Sequence, residues 1–204
     1  MNRWRAFTAC WLVALVSCAS DGGQRGTGIT AAAGNVASVS ADMAVGVDGI
    51  DVSVEGAELH TTTDASGAFE LRGAFAGDTA LRFARARDGL AARLAVSAPA
   101  GGRIDARDVV LDAATGTAEP RVVEVVFEGR VEGLACDDGR VTLASVHRAP
   151  DDLETYVVTL AGSTLHDADG TVLACTDLRI DDRLDVDGEF VTEGLIGEAD
   201  LTRR

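Results

Sequence analysis

Apolar residues recur with a period of two along most of this chain, and that alternation restricts its fold more than any other feature. Ile50, Val52 and Val54 share one face of an extended segment, with Asp51, Ser53 and Glu55 opposite. Side chains of a β-strand point alternately to its two faces, so such a segment buries one face and wets the other. Over residues 28–115 no sustained 3.6-residue repeat of a buried helix face appears. Leu59 and threonines 61–63 follow Gly56 as a second strand, Asp64-Ala65-Ser66-Gly67 supplies a turn, and Ala68-Phe69-Glu70-Leu71 resumes the alternation. Leu81 with Phe83, Leu94 with Val96, and Val109 to Leu111 continue it. A first strand is expected somewhere within 34–45. Short strands at this spacing predict an antiparallel sandwich over 34–115.

Ala113 to Pro120 has no apolar period and reads as a short linker. Beyond it, residues 120–204 form a second all-β unit. Its expected strands are Val122–Val131, one at Val141 and Leu143, and Tyr156–Leu160. Further ones lie at Leu165, Val172–Leu173, Leu184–Val186, Phe190–Val191 and Leu195–Ile196. Asp138-Gly139, Asp169-Gly170 and Asp187-Gly188 between them are dipeptides that favour tight hairpins.

Two stretches resemble known families. Ile50-Asp-Val52-Ser-Val54, Thr61-Thr-Thr63-Asp64-Ala-Ser-Gly67-Ala-Phe69-Glu-Leu71 and Gly73-Ala-Phe75-Ala-Gly77 are similar to the carboxypeptidase regulatory-like domain. The resemblance covers about residues 45–112 and implies a prealbumin-like (transthyretin-like) sandwich. In that family aspartate and glycine of the Thr-Asp-x-x-Gly-x-Phe hairpin make the turn, and phenylalanine enters the core. It also implies a non-catalytic accessory module, of a kind often classed with carbohydrate-binding-like folds. The run Leu178 to Gly188 resembles, less specifically, a small all-β domain of unknown function in bacterial exported proteins. An OB-like barrel is expected there, with no activity attached. The fold class is thus all-β: a prealbumin-like antiparallel β-sandwich followed by a small β-barrel-like domain.

The N-terminus reads differently. Arg3 and Arg5 precede an apolar run from Ala6 to Val16, which is too short for a membrane span of about 20 residues. The run closes on Leu15-Val16-Ser17-Cys18, which resembles the lipobox of bacterial lipoproteins. That resemblance implies cleavage after residue 17 and lipid on Cys18. Residues 18–33 are small and polar and read as a flexible tether. Ala19 stands where aspartate would be the inner-membrane retention signal of the enterobacterial sorting rule, which favours the outer membrane. The expected location is therefore the cell envelope, facing the periplasm or the cell surface.

Composition narrows the function classes. Cleavage removes two of the 18 basic residues, leaving 16 against 33 acids, a formal charge of −17. Such a field repels nucleic-acid phosphates, so nucleic acid is excluded as a partner. Both tryptophans lie in the leader, and the few remaining aromatics leave little for sugar stacking. With Cys10 in the leader and Cys18 lipidated, Cys136 and Cys175 remain as an even pair in an exported chain and predict a disulfide.

No catalytic residue is expected. His60, His147 and His166 accompany no Gly-x-Ser-x-Gly elbow, phosphate loop or His-Glu-x-x-His. No metal or cofactor is expected either. Asp64 reads as a turn residue rather than a calcium ligand. The stretches Asp167-Ala-Asp169-Gly170 and Asp185-Val-Asp187-Gly188 miss the EF-hand glycine at the sixth position and glutamate at the twelfth. The sequence thus predicts a lipid-anchored structural or adaptor module with envelope proteins as partners, or a small-ligand or glycan-binding lipoprotein.

Overall fold

The computed structural model describes residues 29–40, 47–147, 154–192 and 194–204. They form fourteen strands, two single 3₁₀ turns and no α-helix among the described residues. In the first half these are β1 (Thr30–Ser40), β2 (Asp51–Val54), β3 (His60–Thr62), β4 (Ala68–Gly73), β5 (Gly77–Arg85), β6 (Leu90–Ala98), β7 (Arg103–Asp112) and β8 (Thr117–Glu119). Two sheets face each other. One has the order β4-β1-β7 and the other β3-β2-β5-β6, with β8 hydrogen-bonded to β7 and bridged once to β6. Ala32, Val36, Phe69, Leu71 and Ile104 point inward from the first sheet, and Val52, Val54, Leu81, Phe83 and Leu94 from the second. Phe69 and Phe83 meet edge to face across the sandwich, with ring centroids 5.6 Å apart.

The second half comprises β9 (Val122–Ala135), β10 (Arg140–Ser145), β11 (Thr155–Thr159), β12 (Thr164–Asp167), β13 (Arg183–Thr192) and β14 (Leu195–Arg203). Five of these close on themselves in the order β9-β10-β11-β14-β13-β9, with β11 and β14 parallel. This is the small barrel that the sequence predicts. Val125, Phe127, Leu143, Tyr156, Leu184, Val186, Ile196 and Leu201 are buried among its inward-facing residues.

The structure departs from the sequence reading in four places. The first strand begins at Thr30, so residues 30–33 belong to β1 rather than to the tether. The 113–120 stretch contains a tight turn, in which the Gly116 N–H donates to the Asp112 carbonyl, and then β8. Asp187-Gly188 is not a hairpin, because β13 runs straight through it, paired with β9. A Cβ on Gly188 would lie 2.8 Å from Ala199 and Ile196, so this glycine serves close strand packing. Val172 makes one isolated bridge, to His166, instead of a strand with Leu173. Asp138-Gly139 and Asp169-Gly170 do turn the chain, with Gly139 at φ 62° and Gly170 at φ 85°.

β7 pairs with β9, so the first sheet of the sandwich continues into the barrel wall. Seven strands then lie side by side in the order β4-β1-β7-β9-β13-β14-β12. The buried apolar residues of both halves belong to one cluster.

Candidate functional site

The seven-stranded sheet turns one face to the core and the other outward, and period-two alternation decides which residues each face receives. Outward on β1 stand Ala31, Ala33 and Asn35. Beside them lie Glu70 and Arg72 on β4, and Arg103, Asp105 and Arg107 on β7. Because the β1 side chains are small, the longer side chains of β4 and β7 wall an open polar groove of about 710 Å³. Its arginines are engaged with acids: Arg72 with Glu70, Arg103 with Asp105, and Arg107 with Glu124.

Farther along the same face acids outnumber bases. Glu124 and Glu128 on β9, Asp185, Asp187 and Glu189 on β13, and Asp200 on β14 all point outward. The register sets them in like-charged pairs directly across from one another: Glu189 with Glu124, Asp185 with Glu128, and Asp187 with Asp200. Like charges directly opposite destabilise a sheet. Arg183 and Arg204 offset Glu128, and Arg204 also binds Asp185. The side chains of Asp187 and Glu189 have no hydrogen-bond or ion-pair partner among the described residues. Val126, 44% exposed, sits between Arg103 and Asp187 in the same row.

At the far edge, His166 on β12 pairs with Thr202 on β14, and Thr164 with Asp200. His166 Nε2 lies 3.1 Å from the Thr202 hydroxyl and Nδ1 lies 3.3 Å from Asp200. The Thr164 hydroxyl donates to the same carboxylate at 2.9 Å. This connectivity is that of a nucleophile, base and orienting acid. Asp200, however, is 60% exposed, where water screens its charge. Cross-strand neighbours on one sheet face reach these distances as a matter of course. Next to His166 opens a cleft of about 540 Å³, lined by Leu160, Leu165, Val172 and Leu173, by Cys175, and by Ser163 at its polar end.

The expected site residues fall as follows. Cys18 lies outside the described residues. Cys136 and Cys175 are disulfide-bonded, with Cα atoms 5.6 Å apart, and join the two 3₁₀ turns Cys136–Asp138 and Cys175–Asp177. His60 is exposed on β3, while His147 packs against Gly101.

Asp64 works as the turn residue. Its Oδ1 accepts from the Ser66 hydroxyl at 2.6 Å, the Ser66 N–H at 2.8 Å and the Ala68 N–H at 3.0 Å, which holds the carboxyl below its ordinary range. Asp167 accepts from Arg203 Nε and Nη2, at 2.8 Å each, and Asp169 accepts from the Thr171 N–H. Among the described residues no three histidine, cysteine or acidic side chains converge as a metal site.

The His166 trio and the opposed acids are invisible to sequence reasoning. Asp200 and Thr202 show only the alternation around Leu201, and no local signal places β12 against β14.

No family model and no curated protein matches this chain. Among solved structures, one similar chain comes from a type II cohesin–X-dockerin complex of Acetivibrio cellulolyticus, an N-terminal interface mutant. The similarity covers 45% of this chain and 58% of that one, at 20% identity and a TM-score of 0.31.

Proposed function

We propose that this chain is a lipid-anchored, non-catalytic protein of the bacterial cell envelope that acts as a structural or adaptor module. The observation that carries this reading is the outer face of the seven-stranded sheet, built jointly by sandwich and barrel. It offers a broad docking surface with the exposed Val126 set beside Asp187, whose carboxylate has no ion-pair partner among the described residues. Local repulsion between Asp187 and Asp200, and between Glu124 and Glu189, is a cost that a partner bearing arginine or lysine would relieve. The anchor rests on the leader pattern ending at Cys18. Membership of the carboxypeptidase regulatory-like family is supported by the Asp64–Phe69 turn, whose aspartate turns the chain from one sheet to the other and whose phenylalanine is buried.

Crosslinking from native membranes tests the adaptor role. The full chain should capture a defined envelope protein, and Asp187→Asn with Glu189→Gln should reduce that capture several-fold. Equal capture by the variant would sink the docking face. Replacing Cys18 by serine should move the protein to the soluble fraction, and unchanged membrane retention would disprove the anchor.

A second reading, a small-ligand or glycan-binding lipoprotein, is favoured by the apolar-walled cleft beside His166, whose size suits a small molecule. A glycan or metabolite that raises the melting temperature, and fails to do so in Leu173→Arg, would favour it over the adaptor.

A further inference from the structure

Among the described residues strand β4 ends its sheet, since it pairs there with β1 alone. The Gly67 carbonyl takes the Val36 N–H at 2.9 Å. The alternation of an antiparallel ladder therefore turns Phe69 and Leu71 toward β1, and Ala68, Glu70 and Arg72 away from it. The Asp64 turn uses up Ala68, whose N–H donates to Asp64 Oδ1 and whose carbonyl accepts the Asp64 N–H, both at 3.0 Å. Glu70 and Arg72 are left with two backbone N–H and two C=O groups that have no partner among the described residues. Their side chains pair only with each other, two residues apart on one strand and largely in water.

Natural proteins commonly blunt such an edge with charges of one sign, which repel a second copy. Here the two charges have opposite sign, and the edge is self-complementary. We propose that β4 pairs antiparallel with β4 of a second copy of this chain, about a two-fold axis through Leu71. In that register Glu70 lies opposite the partner's Arg72 and Arg72 opposite the partner's Glu70. The four open backbone groups of each copy meet four complementary ones, and both ion pairs exchange within the strand for ion pairs across the axis. No other register of the two strands satisfies both the hydrogen bonds and the charges. A shift of two residues sets Glu70 against Glu70 or Arg72 against Arg72. The choice of a second copy over another protein rests on this self-complementarity, which a two-fold pair satisfies on both sides at once. An interface this small makes a weak, concentration-dependent dimer.

The register can be trapped in the full chain. In a hydrogen-bonded antiparallel pair the Cα atoms are about 5.5 Å apart, within disulfide reach. Two differently tagged copies, one carrying Glu70→Cys and the other Arg72→Cys, should crosslink on mild oxidation. The yield should be at least several-fold above a control pair that carries Arg82→Cys, on the opposite sheet, instead of Arg72→Cys. Against the cysteine trap stands a charge test by sedimentation of the purified full chain. Glu70→Arg should shift it to monomer, and Glu70→Arg with Arg72→Glu should restore the dimer. Because the double variant carries both substitutions, its recovery separates lost pairing from lost folding. Crosslinking no better than the control, or a dimer indifferent to Glu70→Arg, overturns the proposal, as does a cysteine trap that captures a different protein instead.

Discussion

Gly67 shows how much a single position can fix. It sits at φ 81°, and a Cβ there would lie 2.2 Å from the Val36 carbonyl oxygen. Gly67→Ala combines left-handed strain with a backbone clash and should cost about 2 kcal/mol or more. Urea unfolding would check this, and a loss below about 0.5 kcal/mol would mean that the turn can relax. Asp64 beside it contributes through its ionisation. Hydrogen bonds from Ser66 and Ala68 hold Asp64 below the ordinary 3.8, the Arg85 guanidinium does so for Asp88, and Arg203 does so for Asp167. A carboxylate with a lowered folded pKa adds stability that is complete above the unfolded value and is lost as pH falls through the folded one. The melting temperature should hold steady above about pH 5 and drop as pH falls below 3.8. Asp64→Asn should flatten that drop, and an acid limb identical in both proteins would exclude Asp64 as a contributor.

At the level of elements, the disulfide joins two turns that otherwise share little. One follows β9 and the other precedes β13, and the two cysteines are 39 positions apart in sequence. Constraining that loop in the unfolded chain stabilises the barrel by about 4 kcal/mol in the chain-entropy model. Replacing both cysteines by serine should lower the urea midpoint accordingly, and intact mass should rise by about 2 Da on reduction if the pair is formed in solution. Most strands were legible because alternation writes them locally. Ile50 to Val54 reads as β2 and Phe69 with Leu71 as β4. What sequence could not tell is which local signals lose. Asp187-Gly188 has hairpin chemistry, yet Leu184 and Val186 on one side and Phe190 on the other all seek the same core. The strand therefore continues, and glycine answers the close approach of Ala199. Residues 117–119 carry one apolar side chain, Ala118, and pair because β7 stands next to them.

For the whole molecule, the continuity of β7 with β9 joins sandwich and barrel through backbone hydrogen bonds. Side chains reinforce it. Ser145 Oγ donates to the Ala100 carbonyl at 2.8 Å, and Tyr156 bonds Glu154 at 3.1 Å and meets Ser97 of β6. Burial pushes the Tyr156 phenol above its ordinary 10.0, so it stays protonated and able to donate. With a shared core and a shared sheet, the two halves should unfold together, giving calorimetric and van't Hoff enthalpies that agree. Tyr156→Phe should lower that single transition by about 1 kcal/mol. Two separated transitions would show that the halves are energetically independent. The face proposed for docking belongs to this scale too, since its rows of charge cross from β7 to β9 and exist only when both halves are in place.

The position of β1 has a mechanical consequence. Its hydrogen bonds lie on both edges, to β4 on one side and, in parallel, to β7 on the other. A pull applied at Ile29 along the strand axis loads these bonds in shear, so many must break at once and none can be peeled off singly. Tension applied at this end of the described fold is therefore borne by a strand bonded along both of its edges, and the sandwich resists it as a unit.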